Sequence, residues 1–152
     1  MIEILRYAAF TEFPKGGNPA GVVLEAGDLD PAAMQAIAAE VNYSETAFLL
    51  PGPDLRDCPV RYYSPLAEVP FCGHATVAPA VAYAERHRPG RLVPHARSGR
   101  VRVDTVQEAG LIVATLVSVA PRVDPVTAAD LDEALGVLRW TTSPLSPPTA
   151  SG

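Results

Sequence analysis

Apolar and polar residues alternate over residues 2–10 with the period of two that is typical of a β-strand, and further short segments in the first half of the chain also favour strands. The predicted strands cover residues 2–10, 20–24, 46–50 and 59–63. Glycine and proline, which favour turns, lie between the first two strands at positions 14, 16, 17 and 19. The pattern predicts short strands that are joined by turns and interrupted by segments of a different period.

The first segment with a different period covers residues 31–41. Its apolar residues recur at the spacing of an amphipathic helix, at Met34, Ile37, Ala38 and Val41. Asp30 is a favoured N-cap residue, and Pro31 follows at the first helical position. We predict a helix that begins at Pro31 and is stopped by Asn42.

A second helix is predicted over residues 74–86, after a loop at residues 64–70. Alanine and valine occupy most of its positions, so nearly every face is small or apolar. This composition is typical of a helix that is enclosed by other elements. Pro79 lies inside the segment and removes a backbone donor, so we expect the helix to be slightly bent or to begin late.

Three extended stretches follow Pro89, over residues 91–96, 100–106 and 111–119, and their close spacing predicts an antiparallel meander. A last short helix is predicted from the N-cap Thr127 to Leu135, ended by Gly136. The remaining residues are rich in Pro, Ser and Thr and are predicted to form a linker. We therefore divide the chain into a lobe, residues 1–122, and a segment with the short helix and linker, residues 123–152.

Composition limits the classes of function. The chain has 152 residues, 48% of them hydrophobic, which is enough for one core. Seventeen acidic residues outnumber twelve Lys and Arg and give a net charge of −5, which argues against a nucleic-acid surface and favours a small polar partner. No apolar run approaches the roughly 20 residues of a membrane span. Because Cys58 and Cys72 form no CxxC pair, we expect a reduced, cytoplasmic protein without a disulfide scaffold or bound metal.

The strongest chemical signal is the run Cys72, Gly73, His74 just before the second helix. The start of a helix exposes unpaired backbone N–H groups, which favour an anion or a developing negative charge. His74 is either a residue that hydrogen-bonds the backbone there or a donor to a substrate group. Cys72 is either a reactive thiol or a small packed residue.

A second cluster, residues 42–46, lies at the junction between the first helix and the following strand and includes Ser44 and Glu45. Reactive groups are often displayed at such junctions. Glu45 is a solvated carboxylate, a charge partner for an arginine such as Arg61, or the acidic group of a site. Asn18, after two glycines, is either a turn residue or a polar lining of a pocket.

Four segments in order carry a family resemblance: GNPAGVVL (17–24), MQAIAAEVNYSETAF (34–48), RYYSPLAEVPFCGHAT (61–76) and SGRVRV (98–103). They resemble the PhzF-like phenazine-biosynthesis isomerases, which are similar in fold to diaminopimelate epimerase. The resemblance implies an α+β fold: a lobe in which a curved, mostly antiparallel sheet wraps around a central apolar helix. Members of the family have two such lobes, so this chain is expected to supply one, with residues 134–152 as a bridge towards the other.

The resemblance also implies a function, that of a cofactor-independent isomerase which moves a proton between carbons of a small, anionic, carboxylate-bearing substrate. Glu45 matches the acid/base carboxylate of the family, and Gly73 and His74 match residues that line the pocket. Asn18, Ser44 and Cys72 are further substrate-binding candidates. Such chemistry needs a desolvated carboxylate and donors that stabilise a developing enolate, and Glu45 and the helix start could supply both.

The other half of the site is expected from elsewhere, either a second copy in a homodimer or a missing second lobe. Epimerases of the related fold use a cysteine pair, but Cys58 is expected in the same lobe as Cys72 and cannot face it. Cys72 is therefore interpreted mainly as a packed residue. The alternative function is a truncated, inactive lobe that serves only as an association module.

Overall fold

The computed structural model describes residues 2–13, 15–54, 56–118 and 124–140, and its fold is mixed α+β, as predicted. The chain divides into two compact units, residues 1–119 and residues 120–152, and α3 lies in the second. The elements are β1 (Leu5–Ala9), β2 (Asn18–Val23), α1 (Pro31–Val41), β3 (Glu45–Leu49), β4 (Val60–Tyr63), β5 (Glu68–Val69), α2 (Gly73–Arg86), β6 (Arg91–Leu92), β7 (His95–Ala96), β8 (Gly99–Arg100), β9 (Arg102–Glu108), β10 (Leu111–Val117) and α3 (Ala128–Leu138).

In the described part of the chain, the first five strands form one sheet in the order β1-β2-β3-β4-β5. β2 and β3 are parallel, and the other neighbours in this sheet are antiparallel. Parallel neighbours need a crossover connection, and α1 supplies it between β2 and β3. A second antiparallel sheet has the order β10-β9-β6, and β7 pairs with β8.

The two faces of the first sheet pack against different helices. Ala47 and Tyr62 belong to the core cluster that includes residues of α2, whereas their chain neighbours Phe48 and Tyr63 belong to the cluster that includes residues of α1. Successive strand residues point to opposite faces, so both faces of β3 and β4 are covered. The sheet therefore lies between α1 and α2.

Helix α2 contacts strands of both larger sheets, β1, β2 and β3 in the first and β9 and β10 in the second. Nine of its fourteen residues are buried. The helix begins at Gly73, one residue before the predicted start, and continues through Pro79. The prediction of a late start is therefore wrong, because packing on both sheets stabilises the first turn in spite of the proline.

Helix α1 confirms the sequence prediction at both ends. The Asp30 carboxylate accepts a hydrogen bond of 2.7 Å from the backbone N–H of Ala33. Asn42 adopts the left-handed conformation, with φ of 55°, and its N–H donates to the carbonyl of Ala38. These local signals set the point at which the chain leaves the helix and enters β3.

Two predicted extents differ from the structure because strand pairing is not visible in the pattern of a single segment. The predicted loop at residues 64–70 contains β5, in which Val69 pairs with Tyr62 of β4. The predicted strand over residues 91–96 is divided: β6 pairs with β9, and β7 pairs with β8. The sequence pattern therefore predicted that residues 91–96 are extended, but it did not predict which strands they pair with.

Helix α3 also differs from its prediction. Thr127 caps it as expected, but the helix passes through Gly136 to Leu138, and Arg139 takes the left-handed conformation instead. A glycine inside a helix costs only about 1 kcal/mol relative to alanine, which does not stop it. The linker predicted at residues 141–152 lies outside the described residues. No described helix combines the length and the apolar character that crossing a bilayer requires.

The left-handed conformation of Asn42 predicts a matched pair of stability effects. Asn42→Ala places a β-carbon without a polar group in this conformation and should destabilise the protein by about 1 kcal/mol. Asn42→Gly should remain within a few tenths of a kcal/mol of the original protein, because glycine adopts this conformation freely. Urea unfolding followed by circular dichroism measures both. Equal stability of the two variants would contradict the role assigned to the backbone at this position.

Candidate active site

The position of Glu45 is set by the point at which α1 ends. After the left-handed turn at Asn42, Ser44 precedes the first residue of β3, which is Glu45. Glu45 pairs in register with Ala20 of the parallel strand β2. Because side chains alternate along a strand, Glu45 points to the same face as Ala47, which packs towards α2. The register thus directs the carboxylate towards the start of α2.

The strand pair that carries Glu45 is closely packed. Gly21 pairs with Thr46, and a β-carbon on Gly21 would lie 2.5 Å from Thr46 Oγ1. The Thr46 hydroxyl is itself buried and has no hydrogen-bond partner among the described residues. The absence of a side chain at Gly21 therefore permits the close approach of β2 and β3 beside Glu45.

The start of α2 is fixed to the sheet by buried hydroxyl groups. Thr76 Oγ1 donates to the carbonyl of Cys72 at 2.6 Å, and the Tyr62 hydroxyl lies 2.7 Å from Thr76 Oγ1. Tyr62 lies on β4 and is almost completely buried. These hydrogen bonds connect the N-cap residue Cys72 with the interior of the sheet, so they position the residues that follow it.

Three side chains from these elements meet in a group that we call the Glu45 cluster: Glu45, Cys72 and His74. The Cys72 thiol donates to Glu45 Oε2 over 3.4 Å, and Cys72 Sγ lies 3.1 Å from His74 Nδ1. The opposite ring nitrogen, His74 Nε2, lies 3.4 Å from Glu45 Oε2. Ser44 Oγ approaches the same nitrogen at 3.2 Å. Three of the six candidate residues therefore lie in mutual contact, and a fourth, Ser44, contacts His74.

Burial differs across the cluster. The His74 side chain is 7% exposed and that of Glu45 is 21% exposed, so the carboxylate retains access to solvent. Burial raises the pKa of the Cys72 thiol to about 11; the charge of Glu45 adds to this rise, and the backbone N–H groups of Ala75 and His74 oppose it. The thiol is therefore protonated near neutral pH and acts as a hydrogen-bond donor to the carboxylate.

The two remaining candidates lie beside the cluster. Gly73 is the first residue of α2, and a β-carbon placed on it would meet no atom within 4 Å. The space next to the helix start is therefore open. Asn18 begins β2, two residues before Ala20, the register partner of Glu45. Asn18 is thus near the same end of the strand pair, outside the contacts of the cluster.

Arg61, which the sequence offered as a charge partner for Glu45, pairs with a different carboxylate. Arg61 donates two hydrogen bonds, of 2.9 and 2.7 Å, to the Glu68 carboxylate across β4 and β5. This pairing holds the pKa of Glu68 below its usual range. Glu45 therefore does not pair with Arg61, and its carboxylate contacts Cys72 and His74 instead.

The arrangement has the groups that proton transfer requires. A carboxylate can take up and return a proton, while an imidazole and a thiol can donate hydrogen bonds. The backbone N–H groups at the start of α2 favour an anionic group in the open space beside Gly73. The geometry is therefore suited to acid/base chemistry on a small anionic molecule.

Comparison with known proteins identifies the family. The sequence model of the family described as phenazine biosynthesis-like protein (PhzC-PhzF) matches residues 7–146. The chain belongs to this family. The resemblance inferred from the four sequence segments is thereby confirmed.

Individual relatives of this PhzF-like chain are named isomerases. It is 38% identical over 140 residues to the uncharacterized isomerase YfhB of Bacillus subtilis, covering 89% of this chain and 47% of the relative. It is 35% identical over 106 residues to the trans-2,3-dihydro-3-hydroxyanthranilate isomerase of Pseudomonas fluorescens, covering 70% of this chain and 38% of that enzyme. The PhzF-like chain therefore spans less than half the length of these relatives.

A solved structure shows the same likeness. The phenazine biosynthesis protein of the PhzF family from Bacillus anthracis has a TM-score of 0.67 and 35% sequence identity to this chain. The superposition covers 76% of the PhzF-like chain and 40% of the other. This chain is thus similar to part of a longer family structure.

Sequence reasoning missed two features of the site. The contact of Cys72 with Glu45 was not predicted, although Cys72 also packs against the core as expected. The hydrogen bonds from Tyr62 through Thr76 to Cys72 were also missed. The short spacing of Cys72 and His74 could have indicated their contact, but nothing local connects either residue with Glu45.

The raised pKa of Cys72 predicts slow alkylation. In a Cys58→Ala background, in which Cys72 is the remaining thiol, the rate of reaction with iodoacetamide should still be rising at about pH 10. A pKa of about 11 instead of 9.0 makes the thiolate about a hundredfold scarcer near pH 8. Mass spectrometry of the modified peptide gives the rate at each pH.

Glu45→Gln in the same background is the comparison. Removal of the negative charge should lower the thiol pKa and shift the alkylation profile to lower pH. A profile for the Cys58→Ala protein with a midpoint near neutral pH would contradict the assignment of Cys72 as a protonated donor.

Proposed function

We propose that this PhzF-like chain is one lobe of a cofactor-independent isomerase that moves a proton between carbons of a small, carboxylate-bearing substrate. The observation that most supports this proposal is the Glu45 cluster, in which a carboxylate lies 3.4 Å from a thiol sulfur and from an imidazole nitrogen. The open space beside Gly73 gives a substrate access to it. The isomerase names of the relatives agree with this chemistry.

In the proposed reaction, the Glu45 carboxylate removes a proton from one carbon. The electron pair of the broken C–H bond moves into the adjacent unsaturated system, and the same carboxyl group returns the proton to another carbon. The net change is the position of one proton and of the double bonds, so no redox partner is consumed. Glu45 retains some solvent exposure, and closure over the substrate would desolvate it and strengthen it as a base.

The other candidates hold the substrate in this proposal. The backbone N–H of Gly73 and the His74 ring bind its carboxylate, where the start of α2 favours negative charge. Ser44 orients the His74 ring through the contact at Nε2. Cys72 donates to Glu45, and Asn18 lines the pocket from the start of β2.

A second lobe completes the cleft in this proposal. It comes from a second copy of the chain in a homodimer or from further sequence of the kind that the longer relatives possess. We further propose that residues 1–122 form the family's lobe, in which a curved, mostly antiparallel sheet wraps around α2, and that residues 123–152 contain a short helix followed by a linker or by the start of a second lobe. The contacts of α2 with both larger sheets support this arrangement.

An association module without catalysis is the second candidate function. It is favoured by the outer face of β10, where Leu111, Val113 and Val117 are each at least 40% exposed. An apolar strand face of this kind often marks a protein contact. Turnover by the purified protein distinguishes the two candidates, and sedimentation analysis shows whether the active form is a monomer or a dimer.

Glu45→Gln should abolish the isomerase reaction while the fold is retained. The amide cannot act as the acid/base group, so we expect a loss of at least about a hundredfold in kcat. The probe is trans-2,3-dihydro-3-hydroxyanthranilate, the compound in the name of the Pseudomonas relative, with deuterium incorporation from D2O followed by NMR.

Glu40→Gln is the matched control, since Glu40 is an exposed carboxylate at the end of α1. This variant should keep the original rate. Unchanged turnover in Glu45→Gln would remove Glu45 from the mechanism. Absence of turnover in the original protein, as monomer and as dimer, would favour the association module.

Gly73→Ala should weaken substrate binding without affecting the fold. A new methyl group meets no atom within 4 Å beyond its own part of the helix, but it occupies the space proposed for the substrate. We expect KM to rise at least about tenfold, with a smaller change in kcat. Gly136→Ala in α3, where a β-carbon also meets no atom within 4 Å, is the control and should leave KM unchanged. A normal KM in Gly73→Ala would place the substrate elsewhere.

A further inference from the structure

The side chains of the Glu45 cluster are also of the types that bind divalent cations. A carboxylate oxygen of Glu45, Sγ of Cys72 and a ring nitrogen of His74 all lie within 4.8 Å of one another. Tetrahedral zinc with bonds of about 2.0–2.3 Å places its ligand atoms about 3.3–3.8 Å apart. Cys72 Sγ lies 3.4 Å from Glu45 Oε2 and 3.1 Å from His74 Nδ1, whereas it is the other ring nitrogen, Nε2, that lies 3.4 Å from Glu45 Oε2. An ion binds one ring nitrogen, so two of the three ligand distances are near this range and the third, which is within 4.8 Å, is brought into it by rotation of the side chains.

We propose that Glu45, Cys72 and His74 form a binding site for zinc or a similar divalent cation, which occupies the site in place of the substrate. The three residues provide one sulfur, one nitrogen and one oxygen ligand. This mixture favours zinc over magnesium and calcium, which prefer oxygen ligands alone. Three protein ligands leave the fourth tetrahedral position to water.

The charges of the ligands balance that of the ion. When the ion binds, the S–H bond of Cys72 breaks, a zinc–sulfur bond forms and the proton passes to the solvent, with no change in oxidation state. The thiolate and the Glu45 carboxylate then neutralise the two positive charges. The start of α2 carries a partial positive charge, which repels an uncompensated cation and stabilises the thiolate at the N-cap. A site whose net charge is zero is therefore compatible with this helix end.

Solvent can reach the site from the side of the open space. The Glu45 side chain is 21% exposed, and a β-carbon on Gly73 would meet no atom within 4 Å beyond its own part of the helix. His74 is almost buried, which limits the orientations of its ring. The ligands are therefore held on elements that are already folded, and the partly exposed Glu45 leaves a route for the ion to enter.

Occupation by zinc would stop proton transfer, because a carboxylate bound to the ion cannot take a proton from carbon. This consequence for activity rests on the proposed isomerase function, whereas binding of the ion does not. Metal binding is measured without substrate, so the two proposals can fail separately. A chain that binds zinc without turnover retains the metal site, and a chain with turnover that does not bind zinc retains the isomerase.

The test uses the full chain without a polyhistidine tag and Co²⁺ as the spectroscopic probe. One equivalent of Co²⁺ should produce the near-ultraviolet thiolate-to-cobalt band and the visible bands of a tetrahedral site, and ZnCl2 should remove them. Cys72→Ser should lose the thiolate band. Glu45→Gln and His74→Asn should each weaken binding at least about tenfold.

The controls carry the same substitutions at other positions. Cys58→Ser, Glu40→Gln and His87→Asn should keep the cobalt spectrum and the affinity of the original protein, since none of these residues belongs to the cluster. Absence of a thiolate–cobalt band in the original protein overturns the proposal. Persistence of the band in Cys72→Ser, or an equal loss in Cys58→Ser with an intact fold, overturns it as well.

A measurement on the unmodified chain covers the case in which a variant does not fold. Saturating ZnCl2 should slow alkylation of Cys72 at least about tenfold, because the thiolate is bound to the ion, while MgCl2 should have no effect. Peptide mapping by mass spectrometry reports Cys72 and Cys58 separately, and the rate at Cys58 should not change. Equal rates at Cys72 with and without ZnCl2 overturn the proposal.

Discussion

The geometry of the site depends on one buried series of hydrogen bonds. Tyr62 extends from β4 to Thr76 in the first turns of α2, and Thr76 holds the carbonyl of Cys72. Burial makes these contacts difficult to exchange for water, and it raises the pKa of the tyrosine hydroxyl. The helix start is consequently held at a fixed height above the sheet. This fixed position helps to bring Cys72 and His74 to a carboxylate that lies about thirty residues earlier in the chain.

The sequence predicts those parts of the fold that local residues determine. Asp30, Pro31 and Asn42 set the bounds of α1 because capping and the left-handed stop act within one turn of helix. By contrast, the division of residues 91–96 between β6 and β7 depends on partners in β9 and β8. The extended conformation of these residues is visible in their pattern. Their pairing is not, because β6 pairs with a strand more than ten residues away while β7 pairs with the strand that directly follows it.

The same distinction applies to the candidate site. Glu45, Gly73 and His74 could be selected from their positions next to predicted element ends and from family resemblance. The contact between Cys72 and Glu45 could not be predicted, since it requires the register of β3, the face on which Glu45 lies and the height of α2 together. A shift of β3 by one residue would turn Glu45 towards α1. The sequence pattern alone does not predict this register.

The pairing of Gly21 with Thr46 has a consequence for the order in which these positions can change. A side chain at position 21 collides with the Thr46 hydroxyl, so any substitution there separates the two strands beside Glu45. Replacement of Thr46 by alanine removes the two atoms that a β-carbon at position 21 would meet most closely, the methyl group and a hydroxyl that has no partner among the described residues. The threonine can therefore be replaced first and the glycine second, whereas the reverse order passes through a damaged intermediate. Two neighbouring positions thus permit divergence along one route and block it along the other.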